Sequence, residues 1–241
     1  MLILMDFKHK LLKTIRFSKI VSNVNDEVFR LALNRPCNKL TYKRELPPNQ
    51  RVIPRFIIYD VHDPPKDIDL LSYRLRVMGL VENKVEIAYV DLLTKVPCID
   101  LVTDFHCVTG WSIQNVAWRG VPTRYVMDMA KPRDNYVMAV GIDGYTTNLP
   151  LSALLEETTI IAYAMNGKIL PRENGFPLRL VVPSRYGWKS AKYLSELIIM
   201  DSNEPGYWES LGYHDNGDPW LEERFNEGGP VTMRRRVRVV R

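Results

Sequence analysis

The sequence predicts an α+β domain of mixed β-sheets with short helices. Three observations carry that expectation. Runs with two-residue alternation of apolar side chains outnumber runs with helical spacing. Strands and helices do not alternate as a parallel βαβ array requires. Finally, 16 prolines and 13 glycines are scattered along 241 residues and cut the chain into short pieces. A chain that is 46% hydrophobic and 25% charged can bury a large core as one or two domains.

Residues 1–45 read as a basic N-terminal extension, with "KHKLLKTIRFSK" at 8–19 and a helix starting near Asp26. The domain proper is expected over 46–241, beginning at the proline-bearing loop "ELPPNQRVIP". "RFIIYDV" at 55–61 is a short β-rich run, followed by the turn "HDPPKD". In "YRLRVMGLV" the alternation of Tyr73, Leu75 and Val77 predicts a half-buried strand. "VEIAYVDLLTKV" passes from strand to short helix, and "CIDLVTDFHCVTGW" is a strand ending in a loop. "GVPTRYVMDMA" is a helix introduced by Pro122. "NYVMAVGIDGYTTNLPLSALLEE" gives strand, turn and helix; "TTIIAYAMNG" and "NGFPLRLVVP" give two more strands. "YGWKSAKYLSELIIMDS" is a helical turn and a strand, "EPGYWESLGYHDNGDPW" an ordered surface loop, and "VTMRRRVRVV" a last strand.

Net charge is +5, with much of the excess at the two ends. No helix-turn-helix, zinc-finger or RNA-recognition signature lies between them, so no nucleic-acid partner is expected. No run approaches the ~20 apolar residues of a membrane span. The opening "MLILM" is too short for a signal peptide, which leads to an expectation of a cytoplasmic protein. The absence of GxGxxG and GxxxxGK[ST] removes support for a nicotinamide or P-loop site.

Chemistry concentrates in two stretches. In "DFHCVTGW", Cys107 lies between two large aromatics. The three cysteines form no C-x-x-C, and their spacing rules against structural zinc. Three roles stay open for Cys107: a buried structural thiol, a nucleophile, or a lone thiolate on a soft metal whose other sulfurs come from a cofactor. Adjacent strand residues face opposite ways, which makes His106 a poor base for it. The second stretch, "NGFPLRLVVPSRYGWKSAKYL", gathers Arg179, Arg185, Lys189 and Lys192 around a turn holding Ser190, and reads as an anion cradle or a basic surface turn. "GIDGYTTNLPL" is explained as a hairpin and a cap.

Taken in order, "LPPNQ", "YRLRVMGLVEN", "FHCVTGWS", "WRGVP", "DGYTTNLPL", "NGFPLRLVVPSRYGWKSAKYL" and "EPGYWESLGYHDNGDPW" resemble the sulfite oxidase family of molybdenum enzymes, especially its small prokaryotic members. The resemblance runs roughly from residue 45 to 224. It implies a molybdopterin cofactor with Cys107 as the protein's ligand to molybdenum. It places Asn174, Arg179, Ser190, Ala191 and Lys192 on the pterin and its phosphate, with further contacts at Gly141, Asp143, Phe56 and Tyr59. Asp60 stands where many relatives carry histidine. Arg119 and Arg185 are the candidates to bind a small anionic substrate, since no arginine follows Cys107 before Arg119. The activity implied is oxygen-atom transfer to or from a small molecule, with a separate electron-transfer partner. A catalytically silent pterin- or anion-binding module of the same fold is the alternative. The immunoglobulin-like and haem domains of larger relatives are not expected here.

Overall fold

The computed structural model describes residues 26–227. It shows the expected α+β architecture, with two mixed sheets and short helices. The expected last strand "VTMRRRVRVV" and the basic run at 8–19 lie outside the described residues.

After helix α1 over residues 26–34 come β1 (Asn38–Tyr42) and β2 (Arg51–Val52). Next are β3 (Arg74–Gly79), β4 (Val85–Ala88) and α2 (Tyr89–Thr94). The hairpin of β5 (Ile99–Cys107) and β6 (Trp111–Pro122) leads into α3 (Thr123–Ala130), which Pro122 introduces as expected. β7 (Tyr136–Gly141) and β8 (Thr146–Pro150) form a second hairpin before α4 (Leu151–Leu154). The remaining strands are β9 (Ile160–Met165), β10 (Lys168–Ile169), β11 (Arg179–Val181) and β12 (Leu194–Met200).

The larger sheet runs β1-β5-β6-β9-β10, with β2 on β6 and β11 on β9; the smaller is β4-β3-β12-β7-β8. Strand alternation divides β9 between two cores. Ile161 and Tyr163 face a core shared with Leu75, Val137 and Leu197 of the smaller sheet. Ile160 and Ala162 face a second core with Leu101 and Trp118. The same alternation sends Leu180 of β11 to the first core and Arg179 and Val181 to the opposite face. The site is built on that opposite face.

One expectation is corrected. "RFIIYDV" is no strand: Ile57, Ile58 and Tyr59 are exposed on a segment that pairs with neither sheet. The boundary expected at 45/46 passes between β1 and β2, which belong to one sheet, and β1 pairs in parallel with β5 along its whole length. A disulfide between Cys37 and Cys98, 61 residues apart, joins the starts of those two strands. Converting both cysteines to serine is expected to cost about 2–4 kcal/mol by freeing the unfolded chain. Urea denaturation of both proteins, with and without reductant, checks it; coincident midpoints would refute the contribution.

Candidate functional site

Cys107 closes β5 opposite Trp111, so the β5–β6 turn presents its thiol at the end of the hairpin. It is a free cysteine, partly buried, and its Sγ lies 3.2 Å from Thr109 Oγ1. Burial pushes the thiol up from its ordinary range, while the Thr109 hydrogen bonds and the charge of Arg224 oppose that push. His106 points the other way, as strand alternation requires, with Nδ1 2.8 Å from Ser112 Oγ. Ser112 spends its proton on Gln50 Oε1 at 3.0 Å, so His106 Nδ1 must carry the hydrogen of that pair. Burial lowers the imidazole to about 4, which leaves it neutral near pH 7. Gln50 Nε2 donates to the Cys107 carbonyl at 3.1 Å. This relay fixes the thiol's backbone and leaves His106 no part as its base.

Beneath the turn, Phe105 packs against Phe56, Trp111 and Trp118 with ring centroids 5.3–6.4 Å apart. The Arg179 guanidinium lies 5.4 Å from the Phe105 ring and 5.2 Å from Trp118, within cation–π range. Arg179 is therefore the bridge between the Cys107 hairpin and the anion cradle. It donates to the carbonyls of Asn174 at 3.1 Å and Ser190 at 3.2 Å. Its described acceptors are all carbonyls, and burial lowers it to about 10. A buried cation without a carboxylate partner is costly, and it suits an anionic ligand.

The rest of the cradle adjoins it. Ser190 Oγ accepts from Val182 N at 3.1 Å, and Ala191 packs in the core. Lys192 Nζ donates to the carbonyls of Tyr59 (2.8 Å) and Glu173 (3.1 Å) and pairs with Asp60. Burial lowers the Lys192 ammonium, and Asp60 counters that. Gly141 has a specific reason to be glycine: a Cβ there would stand 2.7 Å from the Lys192 carbonyl and 2.4 Å from Asp143 Oδ1. Asp143, whose carboxyl burial pushes up, accepts from Tyr145 N at 3.1 Å and feels the charges of His62 and Lys192.

Nine of the twelve residues expected from sequence thus lie along one connected face, while Ala191 packs in the first core. Of the two arginines assigned to substrate, Arg119 does not join it. Arg119 is bound by Asp100 at 2.6 and 2.9 Å and by the carbonyls of Ala32 and Leu33. It pairs opposite Asp100, seven residues up β5 from Cys107, about 23 Å away at the usual strand rise of ~3.3 Å per residue. Arg185 is turned to the Ser184 carbonyl at 3.0 Å and to Glu156 at 3.9 Å.

Sequence reasoning also missed residues that the fold delivers. His62 packs edge-on to Tyr207 beside the Gly144 turn, a turn it reaches from more than 80 residues away. The buried Tyr213 hydroxyl shares an electrostatic neighbourhood with Cys107 and Tyr59. Behind it lies a fully buried ion pair, Lys189 Nζ to Glu209 Oε1 at 2.6 Å. The only sequence signal for Tyr213 and Glu209 was the dense aromatic and acidic composition of 204–220. Lys189 was expected in the anion cradle, but its three donors are spent on Glu209 and Asn148, which takes it out of the cradle.

The profile of the oxidoreductase molybdopterin binding domain matches residues 62–208. The chain belongs to this family. Among curated relatives, the uncharacterized oxidoreductase YuiH of Bacillus subtilis (strain 168) is 42% identical over 182 residues, covering 75% of this chain and 91% of that protein. The catalytic subunit MsrP of a protein-methionine-sulfoxide reductase from Burkholderia mallei is 28% identical over 213 residues, 74% of this chain. The chain spans 64% of that relative's length. Among solved structures, the sulfane dehydrogenase SoxCD from Paracoccus pantotrophus matches with a TM-score of 0.51 and 25% identity, over 57% of this chain and 40% of that one. These matches make the chain a sulfite-oxidase-family oxidoreductase domain that takes molybdopterin and molybdenum.

The residues present fit that cofactor. A molybdopterin-binding domain must hold a phosphate, and Arg179 is a buried guanidinium matched by carbonyls alone. Arg179→Met is expected to leave the cofactor-free fold at least as stable, because it removes that unmatched charge. Pterin retained on purification should fall about tenfold or more, the size of one charge-assisted hydrogen bond. Thermal unfolding of cofactor-free protein and assay of released pterin test the two halves separately. A destabilised variant with full pterin would reverse the assignment.

Proposed function

We propose that the chain is a mononuclear molybdenum oxidoreductase that moves an oxygen atom to or from a small substrate beside Cys107. The observation that carries this is the join between a free, partly accessible thiol and a buried anion cradle, made by Arg179 lying against Phe105. Cys107 would be the metal's protein ligand, and Asn174, Arg179, Ser190 and Lys192 would hold the pterin and its phosphate. The cofactor, when bound, supplies the two-electron redox chemistry.

The chain's own residues supply position, electrostatics and dryness. The His106–Ser112–Gln50 relay holds the Cys107 backbone, and the Thr109 hydroxyl lies at its sulfur. Such contacts behind a metal ligand tune both its orientation and its potential. The Phe56, Phe105, Trp111 and Trp118 rings shield the cradle side of the hairpin from water. A separate one-electron partner would return the centre to its starting state, and no helix among the described residues is long and apolar enough to cross a membrane.

The name of one relative makes sulfoxides the first substrates to assay, and the resemblance to the sulfite oxidase family makes sulfite the second. Holoenzyme from a host that makes the cofactor should reduce a sulfoxide to its thioether and water with two protons and two electrons from reduced viologen, or oxidise sulfite to sulfate with an oxygen atom from water and two equivalents of a one-electron acceptor. Turnover proportional to bound molybdenum is expected. A preparation replete in molybdenum and pterin that turns over neither would remove the reading.

A further inference from the structure

We propose that Thr109 raises the reduction potential of the metal centre by donating its hydroxyl hydrogen to the Cys107 sulfur. This role rests on the oxygen-transfer reading above and bears on the direction in which that chemistry runs. Thr109 acts through the sulfur and is a positioning residue. It is exposed at the tip of the β5–β6 turn, where no packing requirement explains a threonine.

The turn delivers the hydroxyl to the sulfur. Gly110 N donates to the Cys107 carbonyl at 3.0 Å and closes the turn. Gly110 takes φ +91°, which glycine adopts without steric cost. The turn is then held from outside. Gln50 Nε2 donates to the Cys107 carbonyl and Arg51 N to the Gly110 carbonyl, both at 3.1 Å, and Arg224 donates to the Val108 carbonyl. Thr109 therefore rides on a backbone fixed at three carbonyls, with its Oγ1 3.2 Å from Cys107 Sγ. A β-branched side chain has few χ1 states to lose, so little ordering is needed to keep that contact.

While the thiol keeps its proton, either atom of the pair can donate. Metal ligation removes that proton, and the hydroxyl is then the sole donor between them. The backbone N–H groups of Val108 and Thr109 serve the same sulfur, and all three donors favour its charged form. A sulfur that carries more charge is a better acceptor, and its charge grows when the metal gains an electron. The hydrogen bond is therefore stronger in the reduced state, which raises the potential. A higher potential favours taking electrons from a substrate over delivering them to one. The two backbone donors persist in any side-chain variant, so the hydroxyl is the part of the set that a substitution can remove.

The test uses holoenzyme of wild type, Thr109→Val and Thr109→Ser, matched for molybdenum and pterin content. Valine keeps the branched shape and removes the donor, while serine keeps the donor and orders it less well. The readouts are the potential of the first one-electron reduction of the metal, from a mediated redox titration, and the position of the thiolate-to-metal absorption band. In Thr109→Val that reduction should become about three- to tenfold less favourable, roughly 30–60 mV lower at about 59 mV per tenfold. The band should move to longer wavelength, because a sulfur without its donor gives up charge more readily. Thr109→Ser should lie between the other two in both readouts. An unchanged or higher potential in Thr109→Val, or a serine variant no nearer wild type than the valine one, would overturn the proposal. A wild-type holoenzyme with bound molybdenum but no thiolate-to-metal band would remove the Cys107 ligation beneath it. A band that is present and unmoved by valine would remove the role of Thr109 alone.

Discussion

Cys107→Ser is expected to abolish turnover while leaving the pterin bound. The substitution exchanges a soft thiolate for a hard, weakly acidic hydroxyl and changes little in size. Replacing even the partners behind a metal ligand commonly costs about 10–100-fold, so losing the ligand itself should exceed a hundredfold. Pterin retention should persist, because Arg179 and Lys192 bind through contacts that Cys107 does not make. The measurements are molybdenum and pterin content beside the visible absorption that a thiolate–metal bond produces. Serine-substituted enzyme with ordinary turnover and an unaltered spectrum would reduce Cys107 to a structural thiol and sink the proposed function.

That prediction could be framed from the sequence because its residues come in local strings. Asn174 through Lys192 lie within one turn-bearing stretch, and Cys107 sits at the end of a strand whose alternation is plain. The α+β class followed in the same way from alternation and the spacing of prolines. What failed depended on pairing over distance. Arg119 looked like a substrate residue because it is the first arginine after Cys107, yet the hairpin register places it opposite Asp100. "RFIIYDV" has strand composition, but composition cannot tell a segment that pairs into a sheet from one that does not. Arg224 and the Val108 carbonyl are 116 residues apart, and no local pattern announces their contact.

The Lys189–Glu209 pair shows how such a distant contact reaches the chemistry, and Lys189→Met should expose it with a loss of about 3–5 kcal/mol. Both side chains are wholly inaccessible, and the three donors of Lys189 are matched by Glu209 Oε1 at 2.6 Å and by two oxygens of Asn148 at 2.8 and 2.9 Å. Burial lowers the Lys189 ammonium, and the Glu209 carboxylate opposes that shift. Without the lysine, the carboxylate keeps only the Thr147 hydroxyl and the Trp188 indole, each at 2.9 Å, and its charge is uncompensated. For a domain of this size the loss corresponds to roughly 6–20 °C in Tm. Replacing both partners with apolar residues should recover most of it, because the penalty lies in the orphaned charge and not in the missing attraction. Activity should not recover in step. Glu209 holds the Trp188 indole, and Trp188 stacks on Tyr186 with centroids 5.3 Å apart and meets Tyr213 edge-on at 5.3 Å. A double variant with restored stability would still leave that aromatic wall without its anchor. Recovery of stability without recovery of kcat/KM would therefore assign the pair to positioning the pocket, and recovery of both would confine it to the fold.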